Sequence, residues 1–343
     1  MRYAIVFGGV SYEHEISIVS AIALKKVLDF ECEFIFCDEF REFYHVASEK
    51  MKAKVFSSKE YKKFPKLTLK KGGFFQKTLL GKKILNFDIA INLIHGADGE
   101  DGKLAALFEF FDIKYIGPRV EASVISFNKL FTKLYASYLD IKSIDYQVIT
   151  RDNLDIKFKF PIILKPLRLG SSIGVSIVKN SDELQYALDV AFEFDDEVLI
   201  EPFIEGIKEY NLAGIKSNEF IFSIIEEPIK EEFLDFDKKY LNFSNTKMVN
   251  EANIDEELKQ KLQNSFKKVY GSLFEGALIR CDFFVINGCV YLNEINPNPG
   301  SYSNYLFENF NDVLKQLSHN LPKSKNIPIE YGYIHSLNSA KGK

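Results

Sequence analysis

The sequence predicts an α/β protein that turns α+β in its last third and divides into three successive units. The chain opens as strand, glycine turn, helix and strand, the alternation of a parallel α/β unit. Near its other end, Asn287-Gly288 joins two apolar runs, the strongest short-range hairpin signal. A length of 343 residues suits two or three domains with cores of their own.

The elements follow in order. Tyr3 to Phe7 is a short apolar run broken by Gly8-Gly9. Ile16, Val19, Ala23 and Val27 then recur at helical spacing, and Phe34 to Phe36 is a second strand. Residues 50–83 hold twelve lysines against one acid, Glu60, and read as a solvated surface segment, with anion or nucleic-acid contact the alternative. Strands are expected at Asp88–Ile94 and Ile113–Ile116, and Gly117-Pro118 closes the first unit, residues 1–117. The second unit, 118–203, has a helix near Lys129–Tyr138 and strands at Tyr146–Ile149, Pro161–Lys165, Gly174–Val178 and Val198–Glu201. Ser181 is the expected N-cap of its other helix. In the third unit, 204–343, a capping box at Asn253–Glu256 opens a helix whose apolar face is Leu258, Leu262, Phe266, Val269 and Leu273. Strands Leu278–Ile286 and Val290–Asn296 flank the Asn-Gly turn.

Composition narrows the function. Apolar residues make up 46% and charged residues 27%, ordinary for a globular protein. A net charge of −4 gives no basic excess for nucleic acid, so no nucleic-acid partner is expected. No apolar run nears the roughly 20 residues of a membrane span, and no signal-peptide core precedes Gly8, so no membrane partner is expected. Cys32, Cys37, Cys281 and Cys289 lack zinc-ligand spacing, and so few cysteines in a long chain fit a reducing compartment; the expected location is the cytoplasm.

Four segments carry chemistry. The first is RCDFFVINGCVYLNEINPNPG (280–300). Arg280 and Asp282 share one strand face, as do Glu294 and Asn296 on the next strand. Asp282, Glu294 and Asn296 supply hard oxygen ligands suited to Mg²⁺ held jointly with phosphates, and a neighbouring guanidinium grips anionic oxygens. The bland alternative is a polar strand face with surface ion pairs. In a regular ladder closed by a two-residue turn, Asp282 and Glu294 would point to opposite faces. A shared metal site therefore requires a β-bulge or a three-residue loop that sets Asp282 opposite Glu294.

The second segment is KPLRLGSSIGVSIV (165–178): Lys165 ends an apolar strand, and a loop of Gly170, Ser171, Ser172 and Gly174 can fold its donors over anionic oxygens. It lacks the GK[ST] of a P-loop, and an empty Gly-Ser hairpin is the alternative. The third is EPFIEGIKEYN (201–211), where Glu201 and Glu209 can meet an adenosine or stand on the surface. The fourth is the pair of turns GGVSYEHEIS (8–17) and HGADGEDG (95–102), each after a strand. Strand C-terminal ends form the ligand crevice of parallel α/β sheets. Glu13 can hold an ammonium; His14 and His95 are candidates with turn or cap roles as the alternative. A GxGxxG reading fails, which argues against a dehydrogenase.

In this order the motifs resemble the D-alanine–D-alanine ligases of the ATP-grasp superfamily, over nearly the whole chain. The resemblance implies an ATP-grasp architecture with ATP between the central and C-terminal units, and an acyl-phosphate route from two D-alanines to the dipeptide used in peptidoglycan. By the same resemblance Lys129, Lys165 and Ser172 contact ATP phosphates, Glu201 and Glu209 the adenosine. Asp282, Glu294 and Asn296 hold two Mg²⁺ ions, for which Mn²⁺ can substitute. Arg280 and the Gly300 N–H stabilise the tetrahedral oxyanion. Glu13 binds the first ammonium in a group with Ser171 and Tyr240, near His95, while Lys239 meets the second carboxylate. Tyr305 and Leu306 fall where family members contact that carboxylate, Tyr305 replacing a common serine. Residues 226–245 are expected to form a lid, and the protein to be a homodimer. The rivals are another ATP-grasp carboxylate–amine ligase, a D-Ala–D-lactate ligase, or a non-catalytic nucleotide-binding protein.

Overall fold

The computed structural model describes residues 1–79, 81–228, 249–323 and 327–340. Lys239 and Tyr240, with most of the expected lid, lie outside them.

The first sheet has eight strands. Tyr3–Gly8 (β1), Cys32–Cys37 (β2), Ile89–Asn92 (β7) and Tyr115–Ile116 (β8) form its parallel part. Phe43–Val46 (β3), Lys66–Lys70 (β4), Gly73–Thr78 (β5) and Gly81–Ile84 (β6) extend it as an antiparallel meander, giving the order β6-β5-β4-β3-β2-β1-β7-β8. The lysine-rich stretch is thus not merely a surface connection. Its apolar residues Tyr61, Leu67 and Phe74 are buried, while Lys66, Lys70, Lys82 and Lys83 stay in water. Helix α1 (His14–Val27) buries Ile16, Ala21, Ala23 and Leu24. The sheet is covered on both faces, as parallel strands require: Tyr3, Ile5 and Phe7 join one core cluster, Ala4 and Val6 another.

The second sheet, order β11-β10-β12-β9, comprises Gln147–Thr150 (β9), Ile162–Pro166 (β10), Ser176–Val178 (β11) and Glu197–Pro202 (β12). Helix α6 (Leu184–Phe194) packs Ala187, Leu188, Ala191 and Phe192 on it. Its expected cap shifts by one residue: Asn180, in extended conformation, accepts the Asp182 N–H, and Ser181 already belongs to a 3₁₀ turn. Two further helices precede this sheet, α4 (Val120–Phe127) and α5 (Lys129–Tyr138), the latter capped by Asn128. Ala53–Ser57 (α2) and Lys103–Phe110 (α3) pack in the core of the first sheet.

The third sheet, order β14-β13-β15-β16, comprises Lys208–Lys216 (β13), Phe220–Glu226 (β14), Ile279–Ile286 (β15) and Cys289–Asn296 (β16). Helix α7 (Glu256–Tyr270) lays Leu262, Phe266 and Val269 against Leu212, Cys281, Phe283 and Leu292. Asp255 caps it by accepting the Leu258 N–H, so the box centred on Asn253 is corrected by two residues; Leu273 lies beyond its end. Helix α8 (Phe310–His319) and the turn segment Gly300–Leu306 return to the first sheet's core, where Tyr302, Leu306 and Leu314 meet Ile5 and Phe7. A last helix, α9 (Gly332–Ala340), with Tyr333, Ile334 and Leu337 exposed, closes the described chain. Among the described residues, no helix is long and apolar enough to cross a membrane.

Candidate active site

The β15–β16 hairpin keeps its two-residue turn and its shared carboxylate face at once. Ile286 pairs with Cys289 across Asn287 (φ 50°) and Gly288 (φ 71°), the left-handed pair a type I′ turn needs. The register then slips: Phe283 faces Leu292, but Asp282 faces Glu294, leaving Asn293 as the extra residue of a bulge. Arg280 pairs with Asn296. Cys281, Phe283, Leu292 and Ile295 take the core face, so Arg280, Asp282, Glu294 and Asn296 share the other.

On that face Arg280 grips Asp282 bidentately, Nε to Oδ1 at 2.7 Å and Nη2 to Oδ2 at 2.9 Å. Asn296 Nδ2 donates to Asp282 Oδ2 at 2.9 Å. Burial alone would lower the Arg280 pKa, but Asp282 overrides it and holds the guanidinium charged. Arg280 Nη1 also reaches the Tyr305 hydroxyl at 3.4 Å. Burial raises the Tyr305 pKa, so the phenol is a neutral hydrogen-bonding group. Leu306 is fully buried in the core. The donor set suits a hard divalent cation: two facing carboxylates with an amide beside them. Among the described residues no cluster of three His, Cys, Asp or Glu forms a richer site.

The Glu13 end is built from loops. Gly8 and Gly9 leave the sheet with positive φ, and Ser17 Oγ takes the Gly8 N–H at 2.8 Å. Glu13 immediately precedes α1 and is buried. Its Oε1 accepts from Ser171 Oγ at 2.5 Å, across 158 residues of chain, and its buried Oε2 has no partner among the described residues. A Cβ on Gly96 would stand 2.6 Å from Oε2, so the glycine there (φ 68°) keeps the carboxylate accessible. Burial first and Glu100 second push the Glu13 carboxyl up to about 7. Such a carboxyl fits an arriving ammonium, which would restore its charge and occupy its free oxygen.

Glu201 joins two lysines, Lys133 and Lys165. Its Oε2 lies 2.5 Å from Lys165 Nζ, and Oε1 bonds Lys133 Nζ. The lysines hold this buried carboxylate below its ordinary pKa against the opposing effect of burial. Lys129 Nζ donates to the Leu169 carbonyl, at the root of the glycine-rich loop. Glu209 lies on β13 opposite Phe284, and Ser171 and Ser172 take left-handed φ of 55° and 58° in the loop.

Several residues of this region go beyond those singled out from the sequence. Lys133 sits one helical turn after Lys129, a legible i,i+4 signal. Glu100, within HGADGEDG, has Oε1 3.5 Å from His95 Nδ1 and is pushed up to about 8, chiefly by burial. Asp98 accepts the Val10 N–H at 2.9 Å and both arms of Arg41, tying the two glycine turns together. His14 has the turn role, its Nδ1 2.6 Å from the Gly9 carbonyl.

Comparison with known proteins agrees along the whole chain. The family models described as D-ala D-ala ligase N-terminus and C-terminus match residues 2–118 and 136–312. A D-alanine–D-alanine ligase of Campylobacter lari is 59% identical over 345 residues, covering 100% of both chains. That of Wolinella succinogenes is 60% identical over 346 residues, again covering 100% of both. The crystal structure of the Helicobacter pylori D-alanine–D-alanine ligase, 50% identical, superimposes with a TM-score of 0.86 over 95% of this chain and 100% of that one. With both halves matched and full-length relatives at this identity, the chain belongs to the D-alanine–D-alanine ligase family.

Proposed function

We propose that this enzyme uses ATP to join two D-alanine molecules into D-alanyl-D-alanine for peptidoglycan synthesis, as a cytoplasmic homodimer. Each chain divides at 1–117, 118–203 and 204–343, with ATP between the second and third units. The observation that carries the reading is the bulged hairpin that turns Asp282, Glu294, Asn296 and Arg280 to one side.

Glu13 receives the ammonium of the first D-alanine, with Ser171 and Tyr240 completing the group and His95 beside it. That substrate's carboxylate takes the γ-phosphoryl group of ATP and becomes an acyl phosphate, a leaving group that an amine can displace. Lys129, Lys165 and the Ser172 loop hold the phosphates in line, and Glu201 and Glu209 hold the adenosine. Asp282, Glu294 and Asn296 would hold two Mg²⁺ ions, which supply charge neutralisation to the transferring phosphoryl group. The second D-alanine, met by Lys239, the Tyr305 hydroxyl and the Leu306 backbone, attacks as a neutral amine. Arg280 and the Gly300 N–H then stabilise the oxyanion of the tetrahedral intermediate until phosphate leaves.

The test is ADP release and product analysis with ATP and Mg²⁺ plus D-alanine, L-alanine or D-lactate. Dipeptide from D-alanine, and none without Mg²⁺, is the expected result. ADP release that D-alanine does not stimulate overturns the reading.

A further inference from the structure

A buried polar chain links the HGADGEDG turn, α1 and the segment after Gly300. Ser20 stands at its centre, fully buried on α1. Its Oγ lies 3.0 Å from His95 Nε2 and accepts the Ser301 N–H at 3.1 Å. A hydroxyl has one proton to give. Of these two partners Ser301 N can only donate, which leaves His95 Nε2 as the one able to accept the Ser20 proton. In the tautomer that uses the Ser20 proton, Nε2 is unprotonated and the ring proton sits on Nδ1, 3.5 Å from Glu100 Oε1; the Asn298 backbone also hydrogen-bonds the ring. Burial depresses the His95 pKa to about 4, against the opposing pull of Glu13, which keeps the ring neutral as this arrangement demands.

The other end of the chain is strained. Ser301, Tyr302 and Ser303 have φ of 48°, 54° and 48°, three consecutive left-handed residues without a glycine. Such residues are strained and persist only where the surroundings hold them. Here the Tyr302 hydroxyl reaches the Asn92 carbonyl at 2.9 Å, Asn298 Nδ2 the Ile94 carbonyl at 3.1 Å, and Ser20 the backbone of Ser301 itself. Gly300 immediately precedes this segment, so the direction of its N–H depends on how the strap is held.

We propose that Ser20 is a positioning residue for ligation, whose one hydroxyl fixes the His95 tautomer and pins the strap that aims the Gly300 N–H. This rests on the ligase reading of His95 and Gly300. Misplacing groups of this kind costs roughly 10- to 100-fold in rate. Ser20→Ala should lower kcat by about that factor while leaving the KM for ATP within about twofold. Ser318→Ala removes another buried serine, bonded to the Tyr3 hydroxyl at 2.8 Å far from the site, and calibrates the cost of losing such a group. It should lower thermal stability and leave kcat unchanged. In the double variant Ser20→Ala/His95→Asn, the losses in kcat should be less than multiplicative, because the two residues act as one unit. Nitrogen-15 NMR of histidine-labelled wild-type enzyme, assigned with His95→Asn, should show His95 neutral with its proton on Nδ1.

Unchanged kcat in a folded Ser20→Ala variant, multiplicative losses, or a His95 proton on Nε2 overturns the proposal. The NMR result decides even if Ser20→Ala does not fold. A wild-type enzyme that forms no dipeptide overturns the ligase reading instead.

Discussion

At Glu13 the ligand-free protein holds a buried carboxyl at about 7 rather than 4.5. The folded state therefore binds this proton more tightly than the unfolded chain. Its stabilising contribution is present below pH 4.5 and is lost as pH rises through 7. Glu100, pushed up to about 8, acts in the same direction. His95, lowered from 6.5 to about 4, acts oppositely: its contribution is present above 6.5 and lost as pH falls toward 4. Glu13→Gln should accordingly shrink the stability lost between pH 5 and pH 8 by on the order of 3 kcal/mol, read by urea denaturation of both proteins at each pH. An unchanged pH slope would show that Glu13 is ionised in the unliganded site. A matching expectation holds for binding. An ammonium that draws Glu13 into its charged form must release a proton, so the apparent enthalpy of D-alanine binding near about pH 6 should vary with the ionisation enthalpy of the buffer. Glu13 and Ser171 are legible in the sequence because each sits in a glycine-flanked turn after a strand. The chemistry of Glu100 is not, since its shift comes from burial that only the assembled fold creates.

In the β15–β16 hairpin, local and functional requirements meet in one element. Asn287-Gly288 demands a two-residue turn, and a shared face for Asp282 and Glu294 forbids a regular ladder behind it. The bulge at Asn293 satisfies both; the need for an irregularity is readable from sequence, while the choice of a bulge over a three-residue loop, and its position, are not. Two variants separate register from irregularity. Inserting an alanine between Asp282 and Phe283 gives Asn293 a partner and straightens the ladder, which forces Asp282 and Phe283 onto one face. Turnover should fall by about a thousandfold or more as either the core or the carboxylate pair is lost. Deleting Asn293 also removes the bulge but leaves Asp282 opposite Glu294 and Phe283 opposite Leu292. It should retain Mg²⁺-dependent turnover within about a hundredfold. If the deletion is as dead as the insertion, the bulge geometry itself matters and not only the face it selects. In the turn, a Cβ on Gly288 would touch nothing within 4 Å, so Gly288→Ala exposes the cost of φ 71° alone. That is about 1 kcal/mol by denaturation, with kcat unaffected. The helix caps were less legible: Asn180 and Asp255 lie beside other capping residues, and backbone conformation rather than residue type chooses among them.

On the scale of the whole molecule, the order of the three sheets follows the order of the chain, because consecutive strands tend to neighbour one another. The return of residues 300–319 to the first sheet breaks that order and has no local signature; Tyr302 and Leu314 read only as apolar residues until Ile5 and Phe7 are found beside them. The site is likewise assembled from distant parts, and the glycine-rich loop is where they meet. Its root carries Lys165 and receives Lys129, on the proposed nucleotide side, while Ser171 at its tip holds Glu13, on the proposed D-alanine side. Tyr12, next to Glu13, meets Phe194 of α6 edge-on at 5.0 Å, a second link between the Glu13 turn and the second sheet's layer. A loop shared in this way makes each ligand sensitive to the other, and the coupling must be reciprocal. A non-hydrolysable ATP analogue should therefore tighten D-alanine binding to the wild-type enzyme by about five- to tenfold, and D-alanine should tighten the analogue by the same factor. Ser171→Ala cuts the contact without touching Lys129, Lys165 or the loop's glycines. It should bring the coupling factor close to one while changing the affinity for the analogue alone by less than about threefold. Titrations of each ligand with and without the other, on both proteins, measure all four terms. Coupling that survives in Ser171→Ala would shift the linkage from this hydroxyl to the Tyr12–Phe194 contact, and Tyr12→Ala should then abolish it.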